Sequence, residues 1–371
     1  MTAEMLRSSH HDARTPFLRP HSSGRFPRGL ASHAALVLTS TLLLSHAAFA
    51  ADTTPPLAPG QPTEGRPDTD YDGDGAYTVY WPPARDAQSG IKSYAVQEKI
   101  DAGGWKTLPL TPKIPRVAIR GRLEKKRYAY RVQAKNGAGL LSAWSSPSDG
   151  VLIDKTPALA PATVTDDGAY TPATTQLHVT WEPASDPESG VTDYQYQVRE
   201  GSATGTLLRD WTSVGLVTEV MATDLTLTTG TSYYVGVRAI NGAGWKGTAA
   251  YTDGITSDPT PPSGSVLINE GAADTTTPTV MLTLEARDED GTSITRMRFS
   301  HDDAQYTDPE AYATTKAWTL TEGDGEKAVY VQFENAAGLW SASARDTIAL
   351  DTHAPHVTIE EPDDGSSLGR E

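Results

Sequence analysis

The chain has 371 residues with 31 basic and 47 acidic side chains, a net charge of −16 and no cysteine. An excess of acid argues against partners that need a basic surface, nucleic acid and anionic membrane among them. Without cysteine there are no disulfide staples, no thiol catalysis, no cysteine-rich zinc site and no lipid anchor through a thiol, so packing alone must hold each folded unit.

Residues 1–50 read as a secretory signal peptide. Arg7, Arg14, Arg19, Arg25 and Arg28 form a basic leader, an apolar stretch runs from about Ala34 to Leu44, and Ala48-Phe49-Ala50 stands ahead of Ala51-Asp52. The apolar run is too short to span ~30 Å of hydrocarbon. Cleavage is therefore expected after Ala50, with the mature chain secreted or at the cell surface and not inserted in a membrane. The leader takes five arginines and two acids with it (+3), so −16 becomes −19.

Four proline-bearing signatures then recur: Asp52-Thr-Thr-Pro-Pro56, Asp154-Lys-Thr-Pro157, Asp258-Pro-Thr-Pro-Pro262 and Asp351-Thr-His-Ala-Pro355, at spacings of 102, 104 and 93 residues. Proline stiffens a connection and cannot donate to a sheet ladder, so these are natural seams. They divide the mature chain into modules at 51–155, 156–258 and 259–352, with a stub at 353–371. Asparagine is scarce, four residues in all, yet three of them open one tetrad: Asn136-Gly-Ala-Gly139, Asn241-Gly-Ala-Gly244 and Asn335-Ala-Ala-Gly338. Such a tetrad between β-rich runs predicts a tight hairpin turn, with asparagine and glycine supplying positive φ.

In the first module Tyr77-Thr-Val79-Tyr-Trp81 alternates as a half-buried strand does, and Leu177-His-Val179-Thr-Trp181 repeats it one hundred residues on. After each tryptophan an Asp-x-x-Ser-Gly turn follows, Asp86 to Gly90 and Asp186 to Gly190. Then come Tyr94 and Tyr194 and, late in each module, Tyr128-Ala-Tyr130-Arg-Val132-Gln-Ala134 and Tyr233-Tyr-Val235-Gly-Val237-Arg-Ala239. Leu123 and Leu227 stand at the preceding bends. This order of residues resembles the fibronectin type III module over 51–258. The resemblance implies a β-sandwich with Trp81 and Trp181 at its core, and a tyrosine corner in which the Tyr128 and Tyr233 hydroxyls bond upstream backbone.

The third module lacks the early tryptophan. Val280-Met-Leu282-Thr-Leu284 takes that strand, Asp288-Glu-Asp290-Gly291 the following turn, and Gly323-Asp324-Gly325 marks a later one. It resembles the Ig-like repeats of bacterial surface and secreted proteins, with Trp318 as its expected core anchor. The stub, His356 to Gly365, resembles the opening strand of a further such module; alone it has no partner to pair with and should be disordered. The fold class is thus all-β: tandem Ig-like and fibronectin type III sandwiches joined by proline-rich seams.

Chemistry is sparse. Beyond the leader the histidines are His178, His301, His353 and His356, and none belongs to a His-Glu-x-x-His motif. No cofactor is expected except calcium. Asp68, Asp70, Asp72 and Asp74, followed by Gly75, open like a calcium loop, but the twelfth position is Val79 where an EF-hand has glutamate. The four are candidate calcium ligands or else a solvated acidic turn. Asp154, Asp258 and Asp351, with turn acids such as Asp86 and Asp186, could bind an ion at the seams or cap their own turns. Trp245 and Trp340 directly follow their tetrads; a loop tryptophan there either stacks on a ligand or packs across the seam, and the apolar residue present in every module favours packing.

The expected function is that of an exported, non-catalytic array acting as a spacer, adhesion or accessory binding protein for extracellular protein or polysaccharide. The alternative is the N-terminal accessory part of a larger secreted hydrolase, which reading the gene beyond Glu371 would distinguish.

Overall fold

The computed structural model describes residues 51–358. The expected signal peptide and all of the stub beyond residue 358 lie outside the described residues. Residues 353–358 form no strand and are exposed. Between them the chain is β throughout apart from one short 3-10 turn at Asn269–Gly271, and none of its described helices is long and apolar enough to cross a membrane.

Six sheets pair into three sandwiches, each around its own core. In the first, the strands Thr63–Glu64, Tyr77–Tyr80 and Arg116–Ile119 make a small sheet. Facing it is a larger sheet centred on Ile91–Ile100 and Arg127–Asn136, which pair antiparallel. The alternation read in the sequence is the alternation of burial: Tyr128, Tyr130, Val132 and Ala134 all point inward along one strand. Trp81 is 1% exposed and meets the Tyr94 ring edge-on at 5.3 Å. Removing such a ring from a core costs about 3–5 kcal/mol.

The second sandwich repeats this plan with Val164–Asp166, Leu177–Trp181 and Glu219–Ala222 against Val191–Glu200 and Ser232–Asn241. Both expected tyrosine corners form. The Leu123 amide donates to the Tyr128 hydroxyl at 3.0 Å, and the Thr228 amide to Tyr233 at 2.7 Å. The two bend leucines part company: Leu227 is buried, whereas Leu123 stands exposed.

In the third sandwich Thr279–Arg287 buries Val280, Leu282 and Leu284 as expected, but Trp318 is not the anchor. It lies on the edge strand Thr315–Thr319 and is only partly buried, its ring beside Phe299 and His301. Phe299 and Phe333, from the two central strands of the larger sheet, fill the middle instead. A ring reaching in from a margin cannot fill the space between central strands.

One feature of the topology sets up everything at the seams. In each sandwich the first strand leaves the small sheet and its continuation joins the large one, pairing parallel with the last strand: Tyr71–Asp72 with Val151–Ile153, Tyr170–Thr171 with Ile255–Ser257, Asp274–Thr275 with Ala344–Leu350. The amide of the seam aspartate then closes the ladder, Asp154 onto Asp72, Asp258 onto Thr171 and Asp351 onto Thr275.

Candidate functional site at the sandwich seams

The three tetrad asparagines share one position, the buried last residue of a long central strand. None of them supplies the positive φ of its turn. The glycine closing each tetrad does so, at φ 91° for Gly139, 82° for Gly244 and 80° for Gly338. Each asparagine is instead a polar hub. Asn241 Nδ2 donates to Asp154 Oδ2 at 2.9 Å, Asp186 Oδ2 at 3.1 Å and the Thr156 carbonyl at 2.8 Å, while its Oδ1 accepts the Trp245 amide at 2.8 Å. Asn335 repeats this with Asp258, Asp288, Thr260 and Leu339, and Asn136 with Asp52, Asp86, Thr54 and Leu140.

Three separate sequence signals, seam aspartate, turn aspartate and tetrad, therefore meet at one point in each sandwich. The turn aspartate presents its other oxygen to backbone amides: Asp86 Oδ1 to Gln88, Ser89 and Gly90, Asp186 Oδ1 to Glu188, Ser189 and Gly190. The seam aspartate also caps its own turn, Asp154 Oδ1 accepting the Thr156 amide and hydroxyl. At the first hub the donors favour the ionised carboxylates. The Ser89 hydroxyl is the main cause holding Asp52 below the usual carboxylate range, and the Asn136 amide does the same for Asp86. At the third hub the Thr260 hydroxyl pulls Asp290 down, but burial and the adjoining Asp258 and Asp288 outweigh it and leave the group raised.

Because its amide completes one sandwich and its side chain enters the hub of the next, Asp154 belongs to both, as does Asp258. Both are fully buried. Trp245 adds a second tie across the first of these seams. Its indole Nε1 donates to the Gly73 carbonyl at 3.2 Å and the Asp154 carbonyl at 3.1 Å, and Lys125 meets Glu188 at 2.7 Å nearby. Trp340 does otherwise. It stays on its own sandwich, with Arg298 stacked 4.2 Å from its ring.

The acidic run is spread out. Asp72 Oδ1 accepts the amides of Asp74, Gly75 and Ala76, and Asp74 Oδ1 that of Ala76, so these two hold their own turn, the one on which Trp245 rests. Asp70 is exposed, and its carbonyl takes the Leu152 amide. Asp68 alone of the four joins a group of three acids with ligand atoms within 4.8 Å of one another, and its companions are Glu64 and Asp149. Burial is the main cause that lifts the Glu64 carboxyl to about 7, the Ser148 hydroxyl pulling back and Asp68 and Asp149 adding to the rise. The other such groups among the described residues are at the seams: Asp154, Asp186 and Glu188; Asp258, Asp288 and Asp290; Asp324, Asp351 and His353.

A feature with no flag in the sequence reading is an arginine laid against aromatic rings on each larger sheet. Arg131 lies between Trp105 and Trp144, at 4.7 and 5.1 Å; Arg238 covers Trp211 at 3.9 Å; Arg298 lies between Tyr306 and Trp340. A glutamine on the neighbouring strand fixes each guanidinium: Gln97, Gln195 and Gln332. The available signal was Arg131 and Arg238 at the outward places of otherwise apolar strands. Inside the first sandwich a polar chain links Tyr77, Tyr130, Glu98 and Arg122. Burial raises both tyrosine hydroxyls well beyond their ordinary range.

The molecule is thus an all-β array of sandwiches tied at their seams. Residues 168–254, within the second sandwich, match the family model of the fibronectin type III domain. Among solved structures the chain is similar to the FN1–FN3 domains of chicken CNTN1, at 19% identity over 80% of this chain and 99% of that one, with a TM-score of 0.34. It is also similar to the twitchin kinase region from C. elegans, at 26% identity over 28% of this chain and 17% of that one, with a TM-score of 0.24.

Proposed function

We propose that the chain is an exported, non-catalytic spacer that carries accessory binding surfaces for extracellular protein or polysaccharide, built from three sandwiches at about 51–155, 156–258 and 259–352. The observation that carries this reading is the repeated hub, which fastens each incoming connection to the pole of the next sandwich by buried polar contacts. A catalytic protein needs a cleft with converging reactive groups; here the convergent carboxylates face an amide and backbone N–H groups that keep them in place. A spacer needs its joints fixed, and buried hydrogen bonds between charged and neutral groups are strong enough for that.

The absence of cysteine makes the test direct. Spin labels at Lys113→Cys and Thr206→Cys, both exposed positions in successive sandwiches, should give one narrow distance distribution by pulsed electron resonance. A broad distribution spanning tens of ångströms would refute the spacer. For the binding surfaces, purified protein on an array of glycans and matrix proteins should mark one ligand class above background; an array with no signal removes the accessory-binding part of the reading.

A further inference from the structure

The opening strand of the first sandwich crosses from the small sheet to the large one between Glu64 and Tyr71. Glu64 ends the small-sheet strand opposite Val79 and is fully buried. Its Oε1 accepts the Ser148 hydroxyl, while Oε2, also buried, has no partner. A buried carboxylate oxygen left alone is costly, and in a native protein it calls for an unseen water, proton or ion. Two more carboxylates, Asp68 and Asp149, offer oxygens within 4.8 Å of a Glu64 carboxylate oxygen and of each other. Asp68 Oδ1 is engaged by the Glu64 and Thr69 amides, which fixes the group and leaves its second oxygen available. None of the three carboxylates takes part in a salt bridge among the described residues.

We propose that Glu64, Asp68 and Asp149 bind one hard divalent cation, calcium, at this crossing. Three carboxylates from two segments, Glu64 and Asp68 on one and Asp149 on the other, supply oxygen ligands of unequal reach, which suits the larger ion with its 6–8 ligands and flexible geometry better than magnesium, whose octahedron is strict. Water would complete the shell. The ion would give the Glu64 oxygen its partner and would pin the crossing loop to the segment before Val151–Ile153.

The second sandwich provides an internal comparison. Asp166 stands opposite Val179 as Glu64 does opposite Val79, and its Oδ2 is likewise buried without a partner. No group of three acids forms there among the described residues. One calcium per chain is therefore the expected stoichiometry.

Isothermal titration of the protein with calcium chloride should show one equivalent bound, with magnesium chloride at least tenfold weaker. A hundredfold excess of calcium over its Kd should raise the melting temperature of the first sandwich by about 10–20 °C. Asp149→Asn, an exposed change that leaves the core intact, should weaken calcium tenfold or more, and Asp70→Asn should leave it unchanged. Absence of binding, or an unshifted melt, overturns the proposal. Affinity lost in Asp70→Asn but retained in Asp149→Asn would place the ion on the Asp68–Asp74 run and overturns it equally.

Discussion

A side-chain amide has two hydrogens and one good acceptor oxygen, and at Asn136, Asn241 and Asn335 all of them are engaged. Three acceptors face two hydrogens, so one hydrogen is shared between partners. Aspartate in that place would set a third carboxylate against two others, and glutamine would carry the amide one carbon too far. Truncating Asn335 leaves Asp258 and Asp288, both buried, without the donor between them. Asn335→Ala should accordingly lower the unfolding free energy of the third sandwich by about 2–4 kcal/mol, measured by urea titration. The sequence exposed these asparagines by their rarity but not their role. Their acidic partners lie 47 to 87 residues away, beyond the reach of any local pattern.

At the scale of elements, what could be read ahead was what depends on neighbours along the strand. Period-two alternation marked the central strands, and the order of tryptophan and tyrosine located two cores and both tyrosine corners. The acidic run was harder, because alternate acids look the same whether they converge on an ion or turn back onto their own amides as Asp72 and Asp74 do. A later turn shows the same chemistry at its fullest. Asp302 Oδ1 accepts the Gln305 and Ala304 amides and the Ser300 hydroxyl, which hold its carboxyl down at about 2 against an ordinary 3.8. A depressed carboxylate stabilises above its unfolded value and loses that contribution as pH falls toward its folded one. Amide exchange at Ala304 and Gln305 should therefore accelerate as pH drops from 3.8 toward 2, beyond the intrinsic pH trend, and Asp302→Asn should abolish the excess.

For the whole molecule the decisive elements are the joints. The proline signatures located them in the sequence, and Trp245 was legible there as a residue that would pack across one. Trp340 was read the same way but lies on its own sheet, because the arginine that draws it there is 42 residues upstream at Arg298. Gly73 gives a sharp test of the first joint. A Cβ at that position would lie 2.8 Å from the Trp245 indole nitrogen and 3.3 Å from the Ala243 carbonyl. Gly73→Ala should push the indole away and widen the distance distribution between labels at Lys113→Cys and Thr206→Cys, with little change in the unfolding of either sandwich.

The double membership of Asp154 and Asp258 has a consequence for how the protein comes apart. No cut between neighbours leaves both whole: ending a fragment before Asp154 strips the last rung from the sandwich behind it, and ending after it takes a carboxylate from the pole of the one ahead. Melting of one unit should therefore loosen its successor. Calorimetry would then record overlapping, coupled transitions of a nearest-neighbour chain where three separate domains would give three additive ones.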